Sequence, residues 1–366
     1  MHGNDRDLES AIVIIFTTAS ILISVILFFS AEKYSESDLI SAALSVKEGN
    51  FNIMLFAVRP ILLLLTYVSP LDPLLFLSLA SLISYLISVY LSYRFARELY
   101  DKLSALLASS LLASNFAVML LSSAPMADLP GLASALAIQY IVFKGLKRHL
   151  DNEFSWLKYG LISGLLVLVR ENVMASVAAM CLLLLYKKLY KPLLTYGIST
   201  FIVIACWQIF TSEVFHMNYL TQFSTGVLLS TKYSGMIYNP SKVIGYLIKG
   251  LTPLLMILAF LGIIFDDDRE RFKLIHIIGL PSFMLAILWP AIYEPRVAVI
   301  ALPGMIHVCG YGLSMLIGKL SDKPIYRLCG RSGLLSLILA TNICVNLFLA
   351  YINNSYSFSM IWRPLT

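Results

Sequence analysis

Long apolar runs separated by short polar joints recur along almost the whole of this 366-residue chain, and no other feature constrains its fold as much. The first run, from about residue 11 to 30, has the roughly 20 residues that a helix needs to cross a bilayer. Further spans are expected at about 74–93, 103–122, 130–143, 157–170, 172–186, 193–212, 244–265, 274–292, 297–317 and 334–351, about eleven in all. Inside hydrocarbon the backbone has no water to bond, so such segments must satisfy themselves as helices. Only 13% of the residues are charged and 59% are hydrophobic, against roughly 25% charged in an ordinary soluble domain. The expectation is an all-α polytopic membrane protein, one membrane-embedded unit over 1–366 with no large soluble domain.

Topology follows from the joints. Asp5, Arg6, Asp7 and Glu9 make a poor basic leader, and Phe29 stands where a cleavage site needs a small residue, so the first helix is read as uncleaved. With the amino terminus in the cytoplasm, 18 of the 27 Lys and Arg fall on cytoplasmic joints, as the positive-inside rule requires. The net charge of +6 is thereby explained by topology, and nucleic acid is not expected as a partner. The five cysteines have no paired spacing for a disulfide or zinc framework.

Ionisable residues on the outer side are few and sit at span ends, where charges next to hydrocarbon are functional suspects. The first outer loop, 31–73, holds Glu36 and Asp38, then a short amphipathic helix marked by Leu39, Ile40, Ala43, Leu44 and Val46 and ended by Gly49. Arg59-Pro60 then opens a short apolar piece. Asp128 precedes Pro130, Arg170-Glu171 closes one span, Lys232 lies in a second outer loop over 213–243, and Glu294 and Arg296 flank a proline. Asp38 and Asp128 also suit helix capping, and Arg170 suits snorkelling to the interface. Asp266-Asp267-Asp268, followed by Arg269, Arg271 and Lys273, reads as a solvated cytoplasmic joint, not a metal site.

Five stretches resemble the GT-C superfamily of polytopic glycosyltransferases, in the branch of the protein O-mannosyltransferases and the lipid A aminoarabinose transferase. They are ESDLISAALSVKEGNF, RPILLLLTYV, APMADLPGLASALA, GLISGLLVLVREN and YEPRVAVIALPGM. The resemblance spans roughly residues 10–315. It implies an active site on the extracytoplasmic or lumenal face, a sugar donor carried on a polyprenyl (dolichyl) phosphate lying between helices, and a lipid, glycan or protein acceptor. By position it makes Asp38 and Asp128 the catalytic carboxylates and Arg59 the cation beside the lipid phosphate.

The chemistry of the residues fits that expectation. An acceptor hydroxyl needs a base, and the departing phosphate needs cations; Asp38 suits the first task, and Arg59 with Arg296 or Lys232 suits the second. Glu36, Glu294, Arg170 and Glu171 are supporting residues. Glu36 and Asp38 also offer two carboxylates to a divalent metal, with no cofactor firmly implied. A flippase of lipid-linked sugars and a noncatalytic homologue of the same fold are the rival readings.

Overall fold

The computed structural model describes residues 2–30, 37–148, 152–217, 240–288, 298–320 and 324–361. Every regular element among them is helical. The order is α1 (His2–Ser30), α2 (Ser37–Lys47), α3 (Met54–Val58), α4 (Pro60–Val68), α5 (Pro73–Leu99), α6 (Lys102–Ala113), α7 (Phe116–Leu121), α8 (Asp128–Arg148) and α9 (Glu153–Val167). A 3-10 turn (Glu171–Val173) follows, then α10 (Met174–Tyr186), α11 (Tyr190–Phe215), α12 (Pro240–Ile264), α13 (Arg269–Leu288), α14 (Ala298–Lys319) and α15 (Pro324–Ile361).

Seven described helices are long and apolar enough to span a membrane, fewer than the eleven spans expected. The shortfall has local causes. The run expected over 103–122 is split at Ser114-Asn115 into α6 and α7. The runs over 157–170 and 172–186 form helices of 15 and 13 residues that meet at the Arg170 joint. α13 begins with Arg269, Glu270, Arg271 and Lys273, which makes its first turn a polar joint.

A break in a membrane helix frees backbone groups that protein must satisfy. At the α6–α7 break, the Phe116 N–H donates to Asn346 Oδ1 at 2.9 Å. Asn115 caps α7 by accepting from Ala117 and Val118 N–H, and its amide donates to the Gly250 carbonyl at 3.1 Å. That carbonyl lies next to a second break, where Thr252 has φ +65° just before Pro253. One polar network thus ties α7, α12 and α15 together in the core.

Two ends of the bundle can be told apart. α5 and α8 run parallel, and Lys147 near the end of α8 bonds Glu98 near the end of α5 at 2.9 Å. The Asp128 end of α8 therefore lies with the start of α5, and there Ser81 Oγ donates to the Met126 carbonyl at 2.9 Å. The short helices α2, α3 and α4 pack at this Asp128 end. Leu39, Ala42, Ala43 and Val46 of α2 share a buried cluster with Phe56, Leu62, Leu63, Leu77 and Ala127. α2 begins at Ser37 with Asp38 in its first turn and is ended by Gly49 at φ +86°, as its sequence pattern predicts. Lys47, in its last turn, donates to the carbonyls of Thr66, Tyr67 and Ser69. It thereby neutralises the carbonyl-rich end of α4.

Candidate active site

Arg59 stands between two short helices because of its neighbour. A residue before proline is pushed out of the helical region, and Arg59 takes φ −132°, ψ 55° while Pro60 opens α4. Its guanidinium crosses to Glu171, with Nε donating to Oε2 and Nη2 to Oε1, each at 3.0 Å. This is a fork-on-fork pair, the most directional form of an Arg–carboxylate contact. Trp207 braces the same segment from α11, its indole N–H donating to the Ala57 carbonyl at 2.8 Å. Nothing in the local sequence of α11 marks Trp207 for that task.

One residue before Glu171 in the chain, Arg170 turns the other way. Extended backbone at φ −159° separates it from the 3-10 turn, and its Nη1 lies 2.7 Å from Asp128 Oδ1, with both side chains 2% exposed. Arg170 therefore does not snorkel to an interface, as its place at a span end suggests; it is buried in the protein and paired. Neither does it pair with its sequence neighbour Glu171, which Arg59 holds. Gly131 makes the packing possible. A Cβ there would come within 2.8 Å of Arg170 Cδ and 3.1 Å of Asn172 Oδ1, so only glycine lets the arginine stem lie against α8. The DLPG stretch was legible as a helix start, but the need for its glycine was not.

Consecutive residues 170 and 171 thus engage α8 on one side and the α3–α4 joint on the other. Asp38 is exposed, in the first turn of α2. Its neighbour Leu39 and the neighbour of Asp128, Ala127, belong to one buried cluster, so Asp38, Asp128 and Arg59 all lie at the same end of the bundle. Glu36, Lys232, Glu294 and Arg296 fall outside the described residues.

Beside the ion pairs opens an apolar groove of about 480 Å³ between α4, α5, α8 and the end of α9. Ile61, Pro130 and Val169 line it, each within two residues of Arg59, Asp128 or Arg170. On α5 the lining runs from Phe76 to Ile87, a length of roughly 16 Å at 1.5 Å per residue, away from the charged end. Among the described residues no group of three or more His, Cys, Asp or Glu side chains converges as a metal site.

At the opposite end, Asp266 corrects an expectation. Its side chain is fully buried and pairs with Arg271 at 2.7 Å, with Arg271 Nε bonding both its oxygens at 2.9 Å. The joint is not uniformly solvated, because Arg271 also lies 5.0 Å from the ring centres of Tyr100 and Tyr311.

Residues 61–212 match the family model for dolichyl-phosphate-mannose-protein mannosyltransferase, a segment that includes the groove, Asp128 and Arg170-Glu171. Among solved structures the chain resembles the Archaeoglobus fulgidus oligosaccharyltransferase tethered through a disulfide bond to an acceptor peptide containing the NVT sequon. The TM-score is 0.55 at 13% identity, covering 94% of this chain and 55% of that one. The same protein in complex with Zn and sulfate matches with a TM-score of 0.53 at 15% identity, covering 93% of this chain and 53% of that one. The chain spans little more than half the length of these structures. No curated protein matches its sequence. The likeness to these structures is one of fold, and the family match over 61–212 covers the segment that builds the groove and the ion pairs beside it.

Proposed function

We propose that this protein is a glycosyltransferase that moves a sugar from a polyprenyl-phosphate donor to a hydroxyl acceptor on the extracytoplasmic face, with inversion. The observation that carries the reading is the apolar groove of about 480 Å³ beginning beside the paired charges of Arg59, Asp128, Arg170 and Glu171. A lipid tail in the groove has its head among charged side chains at the end of the bundle. The family match over 61–212 makes a dolichyl-phosphate-linked sugar the first donor to test, with a glycan or protein acceptor.

In the proposed reaction the acceptor oxygen attacks the anomeric carbon. The bond from that carbon to the phosphate oxygen breaks, and the phosphate leaves with the bonding pair. The hydroxyl proton goes to the Asp38 carboxylate. Asp38 suits this task better than Asp128, because it is exposed and can meet a substrate, whereas Asp128 is 2% exposed and held by Arg170. Base catalysis of this kind contributes about 10²–10⁴-fold.

The test is Asp38→Asn in purified protein, supplied with a dolichyl-phosphate-linked mannose and a hydroxyl acceptor. Transfer should fall by about 10²-fold or more while donor binding persists. Wild-type turnover in that variant removes Asp38 as the base.

A further inference from the structure

We infer that Arg170 and Glu171 act as a double clamp that sets the width of the apolar groove, and so determines which lipid tail the protein accepts. The inference rests on reading the groove as the donor's lipid site. It assigns to Arg59, Asp128, Arg170 and Glu171 a positioning role in place of contact with the reacting atoms.

Burial is the first reason. Arg170 and Asp128 are each 2% exposed, and the Arg59 and Glu171 side chains are 9% and 7% exposed. Groups this enclosed act on a substrate through what they hold. What they hold is the groove. Arg59 precedes Ile61 and Leu62 on the α4 wall, Asp128 precedes Pro130 on the α8 wall, and Arg170 follows Val169 at the end of α9. Two adjacent residues therefore fasten three walls, in opposite directions from one joint.

The second reason is stiffness. The fork of Arg59 meets both oxygens of Glu171 at 3.0 Å, a geometry that a single-point lysine contact does not reproduce. On the other arm, the arginine stem rests against α8 at Gly131, where a Cβ would sit 2.8 Å from Arg170 Cδ. The α5 wall is fixed separately, by Ser81 bonding the Met126 carbonyl just before α8. Walls braced at their charged end discriminate by shape there, and one extra or missing carbon in an apolar pocket is worth roughly 10–200-fold in discrimination. The family match over 61–212, which contains the whole lining, makes a methyl-branched isoprenoid chain of the dolichyl kind the occupant this groove should select, over a linear alkyl chain of similar length.

The experiment compares binding of geranylgeraniol and of a linear C20 alcohol to the whole purified protein, by quenching of tryptophan fluorescence. Arg59→Lys and Glu171→Asp keep the charges but remove the fork or shorten the strut; a thermal melt confirms that each remains folded. Wild type should prefer the branched alcohol, and each variant should bring the affinity ratio toward one, by about tenfold. A role confined to stability would lower both affinities together and leave the ratio unchanged, which overturns the inference. So does a wild-type protein that binds the two alcohols equally. If discrimination is present and lost in the variants while no polyprenyl-linked sugar is transferred, the clamp stands and the glycosyltransferase reading fails. If sugar is transferred but the ratio is unaltered in the variants, the glycosyltransferase reading stands and the clamp fails.

Discussion

The two ends of the bundle carry the same kinds of ion pair in opposite settings. At the Asp128 end, Arg170–Asp128 and Arg59–Glu171 lie under 10% exposure on every side chain. At the far end, Lys147–Glu98 has exposures of 46% and 25%, and Lys187–Glu270 of 39% and 58%. Arginine serves the buried pairs and lysine the exposed ones, as their hydration and fork geometry dictate. Exposed pairs contribute little, with a median of about 0–1 kcal/mol. Buried pairs contribute little net stability either, since desolvation offsets attraction, but removing one partner strands the other at a cost of about 3–5 kcal/mol. Charge density alone therefore does not mark a site. The run from Asp266 to Lys273 is denser in charge than anything near Asp128, yet the enclosed, cross-braced pairs are at the other end.

The sharpest way to break this comparison is to strand a buried charge. Glu171→Ala should cost about 3–5 kcal/mol, read as a loss of melting temperature in detergent, and Arg59→Ala should cost a similar amount. The double variant should cost clearly less than the sum, because contacting residues are not additive. If each single change costs under about 1 kcal/mol, the range of an exposed pair, the distinction between the two ends collapses.

Next in size comes Asp266→Ala at the far end, the pair that sits between the two extremes. Its carboxylate is fully buried but Arg271 is 24% exposed, so the stranded guanidinium keeps water and its two tyrosine faces. A cost of about 1.5–3 kcal/mol is expected, that of losing hydrogen bonds to a charged group. A loss as large as that of Glu171→Ala would make the far end as tightly built as the groove. Gly131→Ala tests the same point by volume. The added methyl meets Arg170 at 2.8 Å, and overpacking of this kind costs about 1–3 kcal/mol.

The sequence carried the ends of elements better than the connections between them. Asp38 at the start of α2, Gly49 at its end and Arg59-Pro60 opening α4 were all legible, because capping, positive φ and the proline rule act between neighbours in the chain. Asp128, Arg59, Arg170 and Glu171 were legible as suspects, because charges at span ends are costly. Which of them pair was not. Arg170 and Glu171 look like a local couple in the sequence, yet each is bound to a residue 42 or 112 positions away, a fact settled by packing of α8, α9 and the α3–α4 joint. The break at Ser114-Asn115 was hidden for the same reason: its freed N–H is satisfied by Asn346, 230 positions on.

The smallest effect expected is a pH dependence confined to the far end. Lys187 Nζ lies 3.2 Å from Glu270, and Tyr186 Oη donates to the same carboxylate at 3.3 Å. The hydrogen bond from Lys187, with Lys187 and Lys273 charges nearby, holds the Glu270 carboxyl below the usual carboxylate range. A carboxyl whose value is lower in the folded protein binds its proton more weakly there than in the unfolded chain. Its contribution to stability is therefore present above the ordinary glutamate range and lost as pH falls through the folded value. Glu270→Gln should remove that portion of the acid decline in melting temperature, and the remaining difference from wild type should shrink with added salt, because this pair is exposed and screened. An acid decline that is identical in Glu270→Gln, or a Glu270 contribution indifferent to salt, would mean that the far-end pairs are not the screened surface contacts their exposure implies.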